Sequence, residues 1–220
     1  MFPKELDGGL ASLGHFLPLD GHVLRLVNNA KSVGAMPFAS RQNFAAAVHA
    51  VAQVMDRDED VLLLFMTSHG NEQGLALYLY GAFNVMLAPE DVAAVLDREG
   101  IKNRLIIVSA CYSGVFVKPL ANDDTIVMTA ADDKHTSFGC SNEREWTYFG
   151  DALFNHGLLP GGDIEEAFRD AKMTIGQWEA RDGLEPSNPQ GFFGRALMAK
   201  LAPVYLKAGS KQAMRAPSRQ

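Results

Sequence analysis

The sequence predicts an α/β fold with a mainly parallel sheet, and three observations carry that prediction. Val61-Leu62-Leu63-Leu64-Phe65-Met66, Leu105-Ile106-Ile107-Val108 and Thr125-Ile126-Val127-Met128-Thr129-Ala130 are short, unbroken apolar runs. Runs of that length, rich in aliphatic and β-branched residues, belong to strands buried on both faces. Helical patterns lie before and between them, and strand–helix–strand repetition implies right-handed crossovers between parallel neighbours.

Each element has its own signal. Phe2, Leu6, Leu10, Leu13 and Phe16 fall on one face of an amphipathic helix, although Gly8, Gly9 and Gly14 weaken it. After the Asp20-Gly21 turn, His22 to Val27 alternates as a short strand would, and Asn28 to Phe38 reads as a surface loop. Ser40 can cap the helix that follows, whose buried stripe is Phe44, Val48, Val51 and Met55. A charged turn, Asp56 to Asp60, precedes the first apolar strand. Leu75 to Met86, interrupted by Gly81, suggests a hairpin at the sheet edge. Pro89 opens the next helix with Glu90 and Asp91 in its first turn, Val92, Val95 and Leu96 face inward, and Gly100 stops it. The polar stretch from Ala131 to Glu145 is too long for a mere connector. Helices are expected at about 146–156 and 164–181, a loop at 183–190, and a last strand within 192–201.

Composition excludes several classes of function. Twenty basic against twenty-six acidic residues leave a net charge of −6 in 220 residues. No basic stripe suited to nucleic acid is present, the only basic stretch being the tail after Tyr205. No apolar run approaches the roughly 20 residues of a membrane span. The first residues include Lys4, Glu5 and Asp7 and lack the apolar core of a signal peptide, which leaves cytoplasm and periplasm both open. The two cysteines, Cys111 and Cys140, have neither CxxC spacing nor the paired ligands of a structural zinc site. A disulfide between them is possible but cannot be argued from spacing.

The chemistry gathers at two strand ends. One apolar run closes in Thr67-Ser68-His69-Gly70, the other in Ser109-Ala110-Cys111-Tyr112-Ser113-Gly114. A buried parallel strand delivers the residue at its carboxyl end to the crevice where open α/β sheets hold ligands. A cysteine attacks as the thiolate; a nearby imidazole lowers its pKa and then gives the proton to the leaving group. Gly70 lets the backbone turn tightly after His69, so its N–H, with that of Cys111, can hold an oxyanion. Either residue alone reads as structural, since a lone cysteine usually is; together they read as catalytic. Ser113 is a weaker alternative nucleophile, because a hydroxyl needs stronger activation.

These residues resemble a family. The His-Gly and Ala-Cys-x-Ser-Gly pair is similar to that of the legumain-like cysteine peptidases, peptidase family C13. That family takes in the catalytic subunit of the glycosylphosphatidylinositol transamidase and many bacterial members, among which this chain is expected to fall. The similarity continues through Thr129-Ala130-Ala131, Thr136-Ser137 and Thr147-Tyr148-Phe149-Gly150-Asp151, in order, over about residues 22 to 200. It implies the caspase–haemoglobinase fold, a three-layer αβα sandwich. One peptidase domain is then expected at 1–205, followed by a basic disordered tail at 206–220.

The resemblance also implies roles. His69 is the general base and acid, Cys111 the nucleophile, and Gly70 with Cys111 the oxyanion hole. Substrate contacts fall at Tyr112, Thr136, Ser137 and Asp151, with Ser137 and Asp151 lining the pocket for the residue before the scissile bond. No cofactor or metal is implied, and the partner is a peptide or protein substrate. Two positions depart from the pattern. The asparaginyl members carry an acidic residue where this chain has Tyr112, so asparagine preference does not carry over. The family domain opens with a central strand, whereas this sequence begins at the helix, so a start farther upstream is expected. The implied activity is peptide-bond hydrolysis through a thioester. The alternatives are a caspase-like scaffold without turnover, or a transamidase or ligase using the same dyad. Cys140, His135 and Asp151 each have a bland reading as well, respectively an incidental thiol, a solvated loop residue and a helix-start acid. Trp146, Tyr148 and Phe149 read as core.

Overall fold

The computed structural model describes residues 2–15, 17–19, 21–29, 34–79, 81–140, 144–158 and 162–203. Phe16 and the basic tail lie outside the described residues. In chain order the first elements are α1 (Phe2–Gly14), α2 (Arg41–Val54), β1 (Leu62–Thr67), β2 (Gly70–Asn71), β3 (Gly74–Leu79), β4 (Phe83–Leu87) and α3 (Pro89–Arg98). They are followed by β5 (Arg104–Ser109), a 3₁₀ turn Ser113–Phe116, α4 (Val117–Leu120), β6 (Thr125–Thr129), α5 (Tyr148–Gly150) and a π-helical segment Asp151–Gly157. The chain closes with α6 (Ile164–Asp182), β7 (Gln190–Phe193) and α7 (195–203).

The main sheet runs β1-β5-β6-β7, with the first three strands parallel and β7 antiparallel at the far edge. Alternation along the strands sorts their side chains into two cores, as the pleat requires. Leu105, Ile107, Ile126 and Met128 face α5, the π-helical segment, α6 and α7. Ile106, Val108 and Val127 face α2, α3 and the β3 strand. A mainly parallel sheet between two helical layers is the expected α/β sandwich.

Local signals explain most elements. The Ser40 hydroxyl accepts the Asn43 N–H (3.1 Å) and caps α2. Gly100 takes a left-handed φ of +68° just beyond α3. The Leu75–Met86 stretch is the hairpin β3–β4, and β2 adds a short third strand to it.

Four expectations need correction. β1 is a half-buried edge strand rather than a fully buried one, because among the described residues only β5 pairs with it. His22–Val27 forms no strand. Val23 and Leu24 are exposed there, so pairing has little to bury, and Val27 N–H bonds the Pro37 carbonyl (3.0 Å). The last strand lies earlier, at Gln190–Phe193; Leu197 and Leu201, four apart, belong to α7 and pack into the core. The expected helix at 146–156 begins instead at Tyr148, where Thr147 caps it, and widens into the π-helical segment. The 3₁₀ turn and α4 after Cys111 carry no periodic signal, being too short for one.

The stripe of α1 is also rotated from the expected one. Its buried positions are Glu5, Gly9 and Leu13, four apart, while Leu6 and Leu10 are only half-buried. The glycines that argued against a helix allow it to dock. A Cβ on Gly9 would stand 2.9 Å from the Phe65 ring and 3.0 Å from that of Phe154. Glu5 is fully buried between strand ends, receiving hydroxyl bonds from Thr67, Ser109 (3.1 Å) and Thr147. Burial pushes its carboxyl up from the ordinary value, and the three hydroxyls pull it only partly back. A group whose pKa is raised on folding contributes stability that is present below its unfolded pKa and lost as pH rises through the folded one. Glu5→Gln, which cannot ionise, is therefore expected to gain in melting temperature relative to the wild type between pH 4 and pH 8. Calorimetry across that range checks it; a difference independent of pH would refute it.

Candidate active site

The β1–β5 ladder sets the geometry. Thr67 is the register partner of Ser109, and Ser68 N–H still reaches the Ser109 carbonyl at 3.3 Å. His69 and Cys111 each follow two residues beyond these partners, past neighbouring strand ends. Parallel strands lie about 4.8 Å apart, so the register alone brings imidazole and thiol to one edge. The Ser68 hydroxyl donates to the Ala76 carbonyl (2.7 Å), and Ala76 N–H donates to that of His69 (2.8 Å), tying this end to the hairpin. The His69 ring is exposed, with Phe2 edge-on against it at 5.1 Å between centroids.

Gly70 is required by close approach. A Cβ at this position would lie 2.3 Å from the Cys111 carbonyl oxygen and 3.1 Å from Ala110 Cβ. His69 and Ala76 form a hydrogen-bonded antiparallel pair, so the adjacent Gly70–Leu75 pair is a non-bonded one. The Gly70 N–H therefore points away from β3.

Cys111 is partly buried and held by the loop after β6. Ser137 N–H donates to its sulfur at 3.3 Å, with the Ser137 hydroxyl at 3.6 Å and carbonyl at 3.5 Å. Cys140, three residues on from Ser137, is near enough for its thiol to act on that of Cys111. That thiol contact is the largest influence on Cys111. With the Ser137 bonds and a smaller pull from the His69 charge, it outweighs desolvation and brings the thiol down to about 5. The same contact pushes the Cys140 thiol up, since its proton is held against Cys111.

The remaining residues divide. Ser137 is buried against Cys111, whereas Thr136 is exposed on the same loop. Tyr112 lines a depression of about 250 Å³ with Asn71, Glu72 and Gln73, its backbone left-handed at φ 55°. Asp151 engages Asn155 (2.8 Å) and lies 3.8 Å from His156, on its own helical segment, and makes no contact with Cys111. The Ser113 hydroxyl is buried and accepts Ala131 N–H (3.1 Å), a structural use rather than a nucleophilic one. His135 bonds Asp132 through its ring (2.8 Å), while its carbonyl accepts Tyr112 N–H (2.9 Å).

Sequence reasoning missed Cys140 and Glu5. The only signal for Cys140 was its distance of three residues from Ser137, across a turn. Glu5 had one too, the four-residue spacing to Gly9 and Leu13. Among the described residues, no group of three or more His, Cys, Asp or Glu side chains is placed to hold a metal ion. No helix among them is long and apolar enough to cross a membrane.

A mainly parallel sheet with helices on both faces is a caspase-like fold. The crystal structure of caspase-1 from Spodoptera frugiperda has this fold. It superposes with a TM-score of 0.58 at 14% identity, covering 86% of this chain and 77% of that one. The model of the peptidase C13 family matches residues 39–198, and the chain belongs to that family. No curated protein matches the sequence.

Two outcomes test this geometry. Alkylation of Cys111 by iodoacetamide should fall to half its plateau rate only at about pH 5, where an ordinary thiol would have lost nearly all of it, having a pKa of about 8.5. A midpoint near the ordinary value would refute the thiolate. Gly70→Ala forces its methyl into the Cys111 carbonyl. Misplacement of about 1 Å can cost on the order of 100-fold, so peptide hydrolysis should fall by that order. Wild-type turnover in the variant would contradict the close approach.

Proposed function

We propose that the protein is a cysteine endopeptidase that hydrolyses peptide bonds through Cys111 and His69. Family membership and fold suggest cysteine peptidase activity at the coarser level. The observation that supports the finer reading is the β1–β5 register, in which Thr67 and Ser109, each two residues before His69 and Cys111, are partners.

The Cys111 thiolate attacks the scissile carbonyl carbon, and the carbonyl oxygen takes the negative charge. The N–H groups of Gly70 and Cys111 stabilise that oxyanion, the Gly70 donor being turned away from its own hairpin. Collapse expels the amine, which His69 protonates, and leaves a thioester. His69 then takes a proton from water, which attacks the thioester and releases the acid and the thiolate. Ser137, beside the sulfur, and Tyr112, on the 250 Å³ depression, border the space for the residue before the scissile bond. Thr136 and Asp151 would meet substrate farther out on the same edge.

Because the thiolate is held mainly by Cys140 and Ser137, the chief task of His69 is proton delivery to the leaving group. His69→Ala should therefore lower peptide hydrolysis by about 10²- to 10⁴-fold, the usual worth of a general acid–base. Alkylation of Cys111 by iodoacetamide, which needs no proton delivery, should change far less. Equal losses in both assays would defeat this division of labour. One contact favours a binding scaffold without turnover, the Phe2 ring against one flank of His69. Failure of the wild type to cleave any member of a peptide library, with Cys111 still reactive, would select that reading.

A further inference from the structure

Behind the ends of β1 and β5 the fold buries a carboxyl that the peptide chemistry does not use. Glu5 is fully buried. One of its oxygens accepts the hydroxyl of Thr67, and the other accepts those of Ser109 (3.1 Å) and Thr147. Thr67 and Ser109 are register partners and the last residues of their strands, two short of His69 and Cys111. Thr147 caps α5 by accepting Gly150 N–H (2.8 Å), and its neighbour Tyr148 donates its N–H to the Phe138 carbonyl (3.0 Å). Phe138 follows Ser137, whose N–H meets the Cys111 sulfur at 3.3 Å. A single carboxyl thus joins the strand that carries the imidazole, the strand that carries the thiol, and the anchor of the loop that holds the sulfur.

The place is cut for this group. A Cβ on Gly150 would collide with Glu5 Oε1, and one on Gly8, a turn along α1, would collide with Trp146. Burying a carboxyl is costly unless its oxygens are bonded, and both are. The Ser109 and Thr147 hydroxyls, 3.0 Å apart, also bond each other; Thr67 is joined to them through Glu5. β1 needs such a link, because β5 is its one strand neighbour among the described residues. Its end is held there by Ser68 N–H on the Ser109 carbonyl, a long bond at 3.3 Å. Strand ends with few bonds open locally at low cost.

We propose that Glu5 is a positioning residue for peptide hydrolysis, its carboxyl clamping the ends of β1 and β5 to the start of α5 so that His69 and Ser137 stay fixed relative to Cys111. The kinetic consequence rests on the peptidase reading, whereas the clamp itself does not. Phe2, on the same helix, packs edge-on against the His69 ring at 5.1 Å, so α1 constrains both the backbone before the imidazole and the ring.

The test compares Glu5→Leu, which removes both acceptor oxygens, with Glu5→Gln, which keeps one and fills the same space. Burial already holds the carboxyl towards its neutral form, so the neutral amide is a close stand-in. Each variant is assayed on the best-cleaved fluorogenic peptide of a library, well below its melting temperature. Glu5→Leu should lower kcat by about 100-fold with little change in KM, the size expected when reacting groups shift by about 1 Å. Glu5→Gln should recover most of that loss. Thr67→Val, which removes the hydroxyl on the β1 side, should also lower kcat, and its effect should not add to that of Glu5→Leu. Val92→Ala, a cavity in the opposite core, is the control: its melting temperature should fall and its kcat should hold. Hydrogen exchange read by mass spectrometry needs no turnover. Amides at 68–71 and 148–150 should exchange faster in Glu5→Leu than in wild type or Glu5→Gln, while those of β6 keep their protection. Wild-type kcat in Glu5→Leu or, should that variant not fold, in Thr67→Val would overturn the proposal. So would an equal kcat loss in Val92→Ala, or exchange that rises evenly along the chain. A wild type that cleaves no peptide, with exchange responding locally to Glu5→Leu, would refute the peptidase reading alone.

Discussion

The parallel pairing of Leu62–Thr67 with Arg104–Ser109 is the constraint on which the site depends. An apolar strand must satisfy its backbone groups in a ladder while turning alternate side chains to two cores. Leu63 and Phe65 pack on one face of the sheet, and Leu62, Leu64 and Met66 on the other. A slip of one residue would exchange those sets and shift His69 by about 3.3 Å relative to Cys111. Burial that stabilises the core therefore also fixes the ends from which His69 and Cys111 emerge.

The state of the thiol has a different origin. It is set less by the imidazole than by a loop without regular structure, residues 131–140. That loop is irregular but not loose. The Asp132 carboxylate accepts N–H groups from Lys134 (2.8 Å) and His135 (2.9 Å) and the Asn188 amide (3.2 Å). Asp132 N–H reaches the Ser187 carbonyl (2.9 Å), and Ala131 N–H reaches the buried Ser113 hydroxyl (3.1 Å). The first two bonds brace the loop internally and the others tie it to segments distant in sequence, and together they make Ser137 a fixed donor to the sulfur. A fixed dipole lowers a thiol pKa without having to reorganise as charge develops.

What could be read from the sequence followed from periodicity and chain punctuation. The apolar runs at 105–108 and 125–130 announced themselves as strands because both of their faces are covered. The run at 61–66 reads the same way, yet β1 is an edge strand; composition does not reveal how many neighbours a strand has. The His69–Gly70 and Cys111 pair was legible because each half ends such a strand. Glu5 was hidden because a carboxylate on an otherwise apolar face reads as solvent-facing until three hydroxyls are found around it. Cys140 was hidden because the turn at Gly139 has no period. The 192–201 run was misassigned where Leu197 and Leu201 fit a helix as well as a strand, an ambiguity inherent in short apolar stretches.

Tyr112 shows what the nucleophile's neighbour gives up for its position. A non-glycine residue in the left-handed region is disfavoured by about 1–2 kcal/mol, and Tyr112 is held there at φ 55° between the thiol and the 3₁₀ turn. The strain is sustained by its N–H bond to the His135 carbonyl. Its ring forms one wall of the depression shared with Asn71, Glu72 and Gln73. Change at this position thus acts on two properties with opposite sign. A residue at ease in left-handed backbone would relax the chain and erase the aromatic wall in one substitution. Selection for a more stable protein and selection for a particular ligand shape would therefore pull this residue apart, making it a natural point of divergence among relatives that keep the same thiol and imidazole.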